Sequence, residues 1–526
     1  MVTSADLPAM RRPLFLLPLF LLPLFLSLLL LSTGCGSRKS VVQKAAEKAY
    51  DADYKVPRRE VRAVWFPTIY RSQYARMTVA ELQSDLRQKV DRLAELGVNV
   101  IYFQVRPEAD AWYYSPYEPW SRFLTGEQGR APEPLWDPLA FMVKICHERF
   151  IELHAWINPY RAVADVGSAV APGHPSRKHP EWFVHYGKQL LFDPGLPEVR
   201  AYTCRVVRDI VTRYDVDGIH LDDYFYPYPI AGETFDDDET YRRYGAAFAS
   251  KGDWRRDNVT RLIRDLSRTI HSVKPYVQLG ISPFGIYRNE RTHPIGSRTA
   301  GLQNYDDLYA DLLLWDEEGL IDYVVPQIYW NMGNKVADYT ELVLWWSRHI
   351  HHAQLVVGQH VRRTMDGGQL HPKLVLAAEH TAGNAIWPGD DLWGSSYRGI
   401  ADQLHRDYWP LPALLPERPY PATVEPFPEP ERDAAVLRGT GRQELVWMDD
   451  LPLPPGQETA YYVVYCHKRG TSLRKALDPE NIVGRTHDTR FRPLDLGGKF
   501  RVSFTITRID RFGHEHVIAR EIKAVL

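Results

Sequence analysis

Val216-Asp217-Gly218-Ile219-His220-Leu221-Asp222-Asp223-Tyr224-Phe225-Tyr226-Pro227 is the stretch whose reading decides the fold. Residues 218–221 read as an apolar strand interrupted only by His220. The strand ends in two adjacent carboxylates followed at once by rings. A parallel barrel builds its chemistry at the carboxyl ends of its strands, and a barrel that cleaves sugars needs carboxylates there. Adjacent residues of a strand point to opposite faces. If the strand runs that far, one of Asp222 and Asp223 faces the barrel axis and the other a loop or helix. An Asp pair that caps a helix or closes a turn is the competing reading. The flanking strands decide between the two.

Working outward, the same grammar repeats. Strands are expected over 60–67, 99–107, 152–161, 218–221, 277–283, 321–330, 354–359 and 383–387. Helical spacing is expected over 82–96, 138–150, 197–214, 259–273, 305–318, 340–351 and 372–380, with Gly97 stopping the first. Eight strands alternating with helices predict a parallel sheet closed into an α/β (β/α)8 barrel, a TIM barrel. An open doubly wound sheet is the alternative. The absence of a glycine-rich dinucleotide fingerprint after the first strand argues against it.

The 526 residues are long enough for such a barrel and a smaller domain. The formal net charge of -2 gives no sign of a polyanion-binding surface, so no nucleic-acid partner is expected. Arg11-Arg12, the apolar run 13–31 and Leu31-Ser32-Thr33-Gly34-Cys35 read as an export signal. The Gly34-Cys35 end resembles a bacterial lipobox, which implies lipidation of Cys35. An uncleaved membrane anchor is the alternative. The chain is thus expected to be exported and lipid-anchored in the cell envelope, facing the periplasm or the surface. The domain reading is 1–35 signal, 36–58 polar spacer, 59–416 barrel, 417–432 Pro-rich linker and 433–526 a small β-sandwich. The alternating runs 444–447, 461–466, 500–507 and 516–519 carry the last assignment, a fibronectin type III-like fold. Of the 4 Cys, Cys146 and Cys204 read as core residues, and no metal-like spacing or disulfide framework is apparent.

The strand ends gather polar and aromatic side chains. They are Gln104, Arg106 and Asp110, then Asn158, Tyr160 and Arg161. His220, Asp222, Asp223, Tyr224 and Tyr226 follow, then Ser282, and last Gln327, Tyr329 and Trp330. At these positions the sequence resembles the glycosyl-hydrolase-like family 10 of bacterial envelope lipoproteins, once catalogued as a domain of unknown function. The resemblance runs over 60–416. Its motifs, in order, include Arg62-Ala63-Val64-Trp65, Gln104-Val105-Arg106-Pro107 and Trp156-Ile157-Asn158-Pro159-Tyr160-Arg161. Asp193-Pro194-Gly195, the 217–227 stretch, Gly280-Ile281-Ser282-Pro283-Phe284-Gly285, Asn304-Tyr305-Asp306-Asp307-Leu308-Tyr309 and Val325-Pro326-Gln327-Ile328-Tyr329-Trp330 complete them. The resemblance implies a (β/α)8 barrel. Some members are implied to cut peptidoglycan glycan strands from which stem peptides have been removed.

From the residues, Asp222 and Asp223 are the expected catalytic pair. Glycoside cleavage usually takes one protonated and one ionised carboxyl, and neighbouring like charges raise one pKa. A carboxylate from another strand end is an open alternative partner, with Asp110 the candidate; Asp193 reads as a turn residue. A substrate-assisted scheme for an N-acetylated sugar would use Asp223 as acid, Asp222 to orient the acetamido group and Tyr329 to bond it. The remaining strand-end residues except Ser282 are expected to bind substrate, and no cofactor is expected. His220 has a competing reading as a hydrogen-bonded core histidine. Arg106 has one as the neutraliser of a neighbouring Asp. Trp65 and Trp156 read as packing residues. The partner is a carbohydrate polymer, peptidoglycan or a related glycan. The competing functions are a glycan-binding lipoprotein without catalysis and a metal-dependent polysaccharide deacetylase using His154 and His220.

Overall fold

A computed structural model describes residues 39–394, 396–421, 435–440, 442–449, 453, 457–493 and 501–525. The export signal, Cys35 and most of the Pro-rich linker lie outside the described residues. The chain divides into two compact units, Met1–Lys44 and Ala45–Leu526. In the first, Ser40 and Gln43 exchange side-chain and backbone bonds that open a helix. Everything below concerns the second. Among the described residues no helix is long and apolar enough to cross a membrane.

The barrel strands are β1 (Val61–Phe66), β2 (Val100–Arg106), β3 (Glu152–Ile157), β4 (Gly218–Leu221), β5 (Gln278–Ile281), β6 (Tyr323–Val324), β7 (Gln354–Leu355), β8 (Val357–His360) and β9 (Gly383–Trp387). Neighbours pair in parallel in the order β7-β6-β5-β4-β3-β2-β1-β9-β8. β7 and β8 are one run interrupted at Val356. The first half pairs with β6 and the second with β9, so the sheet comes round almost to closure. Eight expected strands therefore appear as nine, because the seventh changes partner midway.

Side chains alternate as the pleat requires. Val64, Phe66, Ile101, Phe103, Leu153, Ala155, Ile219 and Leu221 point outward into the core shared with the helices. Trp65, Tyr102, Trp156 and Tyr323 belong to a separate apolar cluster on the axis. The register Trp156, His220, Gly280, Tyr323 runs across β3 to β6. Two large rings fit there only because glycines face them. A Cβ on Gly280 would fall 1.8 Å from the Tyr323 ring, and one on Gly218 would fall 2.5 Å from His154.

Local signals set the helix ends. Thr78 and Glu81 form a capping box before Val79–Glu95, and Gly97 turns the chain out at φ 87°. Asp137 caps Pro138–His147, whose first residue is proline. Ser250 caps Lys251–Val273, so that helix starts well before residue 259. Helix 305–318 is instead two short ones, Asn304–Asp307 and Leu312–Glu317. Tyr309 at φ 56° separates them and Asp311 caps the second. The strand expected over 321–330 keeps only two ladder residues, because Pro326 has no N–H to give. Arg161 does not extend β3. Arg161–Val163 pairs with Gln189–Phe192 in a separate three-stranded sheet completed by Phe183–Tyr186.

The C-terminal region forms two antiparallel sheets. One holds Ala435–Thr440, Arg442–Trp447 and Arg490–Phe491; the other holds Ile482–Thr486, Thr459–Lys468, Arg501–Asp510 and Glu515–Val525. Leu445 and Trp447 of the first pack with Tyr462, Val464, Phe504 and Ile506 of the second. The opposite face of the second sheet, with Val463, Tyr465 and Ile509, packs on Leu414 beneath the barrel.

Candidate active site

β4 stops at Leu221, so neither Asp222 nor Asp223 is a strand residue. The condition under which one of them would face away from the axis is therefore not met. The chain bends after Leu221, and both carboxyls, each 4% exposed, sit at the mouth. Asp222 accepts from Trp156 Nε1 at 3.1 Å, from Asn158 Nδ2 at 3.0 and 3.1 Å and from the Tyr224 amide at 3.3 Å. Asp223 accepts from Tyr228 Oη, and Gln327 also bonds it.

The two carboxyls are perturbed by the same forces and differ in their company. Burial raises the Asp222 pKa, while Arg161, Asn158, the Tyr224 amide and Trp156 hold it down. Burial and then the Asp222 charge push Asp223 up to about 7, against the lowering bonds from Tyr228 and Gln327. Three donor-only groups on Asp222 favour its carboxylate. Asp223 keeps a proton close to neutral pH. One ionised and one protonated carboxyl, side by side, is the division of labour that acid-catalysed glycoside cleavage requires.

Rings surround the pair. Tyr224 is 38% exposed, lies under the Arg161 guanidinium at 5.3 Å and meets the Tyr228 ring at 5.5 Å. Phe284 packs at 6.0 Å from Tyr228 and 5.5 Å from Trp330. Tyr329 and Trp330 continue into a cavity of ≈ 410 Å³ whose polar wall includes Asn331, Asn334 and Arg363. Tyr329 feels the Asp223 charge, which adds to burial in raising its phenol pKa.

Several expected substrate contacts lie elsewhere. Arg106 is fully buried and makes a fork with Glu118, Nε and Nη2 bonding at 2.6–3.0 Å. It neutralises an acid, as the competing reading had it, but that acid is Glu118 and not an Asp. Gln104 is buried and accepts the Thr68 and Ile69 amides at 3.0 Å, anchoring the loop after β1. Asp110 is enclosed with Gln128 at 3.1 Å and Glu108, and bonds neither Asp222 nor Asp223. Tyr160 packs in the main core. Tyr226 is buried with its hydroxyl on Asn258 at 3.3 Å and Arg255 5.1 Å from its ring. Asn158 reaches Asp222 and positions it. Asp193 accepts the Gly195 amide at 2.8 Å, as a turn residue does.

His220 is a core histidine. Trp65 Nε1 lies 3.0 Å from its Nε2, Tyr323 Oη lies 2.9 Å from its Nδ1, and its ring stacks on Tyr102 at 4.0 Å. An indole N–H only donates, so Nε2 accepts and Nδ1 carries the proton. Burial holds its pKa well below the ordinary histidine value. His154 and His220 share Tyr323 Oη, and neither bonds Asp222 or Asp223, so the His pair imagined for a deacetylase does not form. Among the described residues no group of three or more His, Cys, Asp or Glu is arranged to hold a metal ion.

Sequence reasoning missed Tyr228 and the indole of Trp156. Tyr228 carried a signal, since Tyr224, Tyr226 and Tyr228 alternate after the pair. Trp156 gave none, because a strand tryptophan that packs and one that also donates read alike.

The barrel and its mouth define a class, the carbohydrate-cleaving β/α-barrel hydrolases. The chain belongs to the glycosyl hydrolase-like 10 family, whose model matches residues 60–372. It is 37% identical over 478 residues to glycosyl hydrolase YngK of Bacillus subtilis (strain 168), covering 87% of this chain and 92% of that protein. It is 38% identical over 340 residues to glycosyl hydrolase DigH of Escherichia coli (strain K12), covering 60% of this chain and 77% of that one. Among solved structures, the PgaB glycoside hydrolase domain from Bordetella bronchiseptica aligns with a TM-score of 0.43 and 12% identity, over 67% of this chain and 99% of that one.

Proposed function

We propose that the chain cleaves glycosidic bonds in a cell-envelope polysaccharide, namely peptidoglycan glycan strands stripped of stem peptides, from a lipid anchor on Cys35. The observation that carries the catalytic part is the split between the two carboxyls at the mouth. Asp223, with its pKa pushed up to about 7, holds a proton for the leaving oxygen. Asp222, fixed by Trp156, Asn158 and the Tyr224 amide, stays ionised. On an N-acetylated sugar it orients the acetamido group, with Tyr329 as a second contact. Tyr224 and Trp330 supply faces for sugar rings. Gln327 bonds Asp223, and the Arg161 charge favours the Asp222 carboxylate.

Support for the glycan class comes from family membership, and support for the envelope from the signal-like start of the sequence. The domain limits proposed are 1–35, 36–58, 59–416, 417–432 and 433–526, the last a fibronectin type III-like sandwich. Incubation with purified peptidoglycan, with and without stem peptides, tests the reading. New reducing ends are expected, more of them from the stripped strands. Equal release from both substrates overturns the preference. Binding without products overturns the catalytic assignment on this polymer, and acetate release in its place points to deacetylation.

A further inference from the structure

The amino ends of the barrel strands, opposite the mouth, face the four-stranded C-terminal sheet across a cavity of ≈ 620 Å³. Barrel residues Asn99, His147 and Phe150 form one wall, and Tyr461, Arg485 and His487 the other. His487 ties the walls together, with Nε2 2.9 Å from the His147 carbonyl and its ring stacked on Phe150 at 4.7 Å.

Arg485 stands out. It sits in the strand Ile482–Thr486 opposite Val463, and its guanidinium lies 4.8 Å from the Phe150 ring. Among the described residues no carboxylate or hydrogen-bond acceptor pairs with it. Burial pulls its pKa below the usual arginine value, the Tyr461 phenol works against that shift, and the like charge of Arg62 adds to it. The acids around the cavity are engaged. Asp215 and Asp217 face Arg511 and His147, Glu152 bonds His154 and Gln278, Glu148 bonds Arg87, and Asp510 bonds Tyr420 and His516. Arg485 is half-buried, and a cation partly withdrawn from water gains from a counter-charge. The space in front of this one is open.

We propose that this cavity is a second carbohydrate site, separate from the cleft, which takes a sugar residue bearing a carboxylate and sets that carboxylate on Arg485. The volume falls in the usual range of about 300–1,000 Å³ for small-molecule sites and exceeds what a simple inorganic anion fills. Tyr461 adds a ring on which a sugar face can lie, while Asn99, His147 and Thr459 in the lining already bond Arg62, Asp217 and Asp449. A planar guanidinium matches a carboxylate in two bonds. The choice of a sugar rests on the glycan reading above; the demand for an anion rests on Arg485.

The test uses the full chain, with D-glucuronate, D-glucose and inorganic phosphate as calorimetric probes. Wild type, Asp223→Asn, Arg485→Gln and Arg485→Lys are compared. Glucuronate is expected to bind wild type and Asp223→Asn alike, at least tenfold weaker to Arg485→Gln, with Arg485→Lys between, and glucose to show no binding dependent on Arg485. Unchanged glucuronate binding in Arg485→Gln overturns the site. Loss in Asp223→Asn does so too, because the probe then occupies the cleft. Tighter binding of phosphate than of glucuronate overturns the sugar. If Arg485→Gln does not fold, wild-type crystals soaked in glucuronate decide. A carboxylate against Arg485 supports the proposal and an empty cavity overturns it. Hydrolysis is read in a separate assay, so failure here leaves the catalytic reading intact.

Discussion

Asp223 and Asp222 have the same side chain, and their neighbours make them different. Every donor on Asp222 is an N–H group that strengthens a negative charge, whereas Asp223 is buried beside that charge. Replacing Asp223 by Asn removes the proposed proton donor and leaves the shape. Turnover is expected to fall by about 10²–10⁴-fold with the unfolding temperature essentially kept, as activity and thermal scans on one preparation will show. The sign of the pH effect follows from the raised pKa. The acid form of Asp223 is present below about 7 and lost above it, so kcat/KM should decline as pH rises through that value. Tyr228 donates to the ionised form and thereby lowers the Asp223 pKa. In Tyr228→Phe the pKa therefore rises further, and the alkaline limb of the profile moves to higher pH. A limb that stays put would remove Tyr228 from this role. The Asp pair and Tyr224 were legible at this scale because they follow a strand end. Arg106 and Tyr226 were misread because a strand-end arginine or a ring after the pair looks the same whether it meets a sugar, Glu118 or Arg255.

Strands and helices were legible where one pattern governed them. β4 has the limits expected of it, and the helix expected over 82–96 is there as Val79–Glu95, begun three residues earlier at its capping box. The misreadings fall where a residue acts through backbone geometry. Pro326 truncates β6, Tyr309 breaks a helix, and the run through Val356 shares itself between two neighbours. The axis of the barrel depends on absent side chains. Gly280 makes room for Tyr323, whose hydroxyl orients His220 and His154. Gly280→Ala forces a methyl into that ring. Overpacking of this kind costs about 1–3 kcal/mol, and urea unfolding should show a loss at least that large. Since His220 sits two residues before Asp222, a fall in kcat is expected with it. Undiminished stability would mean that the axis yields more readily than its packing implies.

At the scale of the whole molecule, the C-terminal sheets hold the foot of the strand that leads into Asp222 and Asp223. Arg511 bonds Asp215 and Tyr276 and lies 3.6 Å from Asp217, next to the first residue of β4. Arg418 bonds the Tyr276 carbonyl at 2.7 Å. Arg511→Ala should lower stability by about 1–2 kcal/mol, the lower end for charged hydrogen bonds because Asp215 is half exposed. Thermal unfolding measures that loss, and limited proteolysis should cut first between barrel and sheets. An unchanged transition and cleavage pattern would show that apolar packing around Leu414 alone secures the union.

The amino-acid order by itself determined the alternation of strand and helix, the barrel, the β-rich C-terminal region and the acidic strand end. Each of these follows from periodicity or from a residue beside its neighbour, and such information is local. Only the tertiary structure decided that Asp222 and Asp223 both turn into the mouth, that Arg106 belongs to Glu118, and that His220 serves the axis. It also decided that Arg485 faces a cavity. Those outcomes depend on which distant segments meet across the barrel and on how far each charge is taken from water, quantities no stretch of sequence contains.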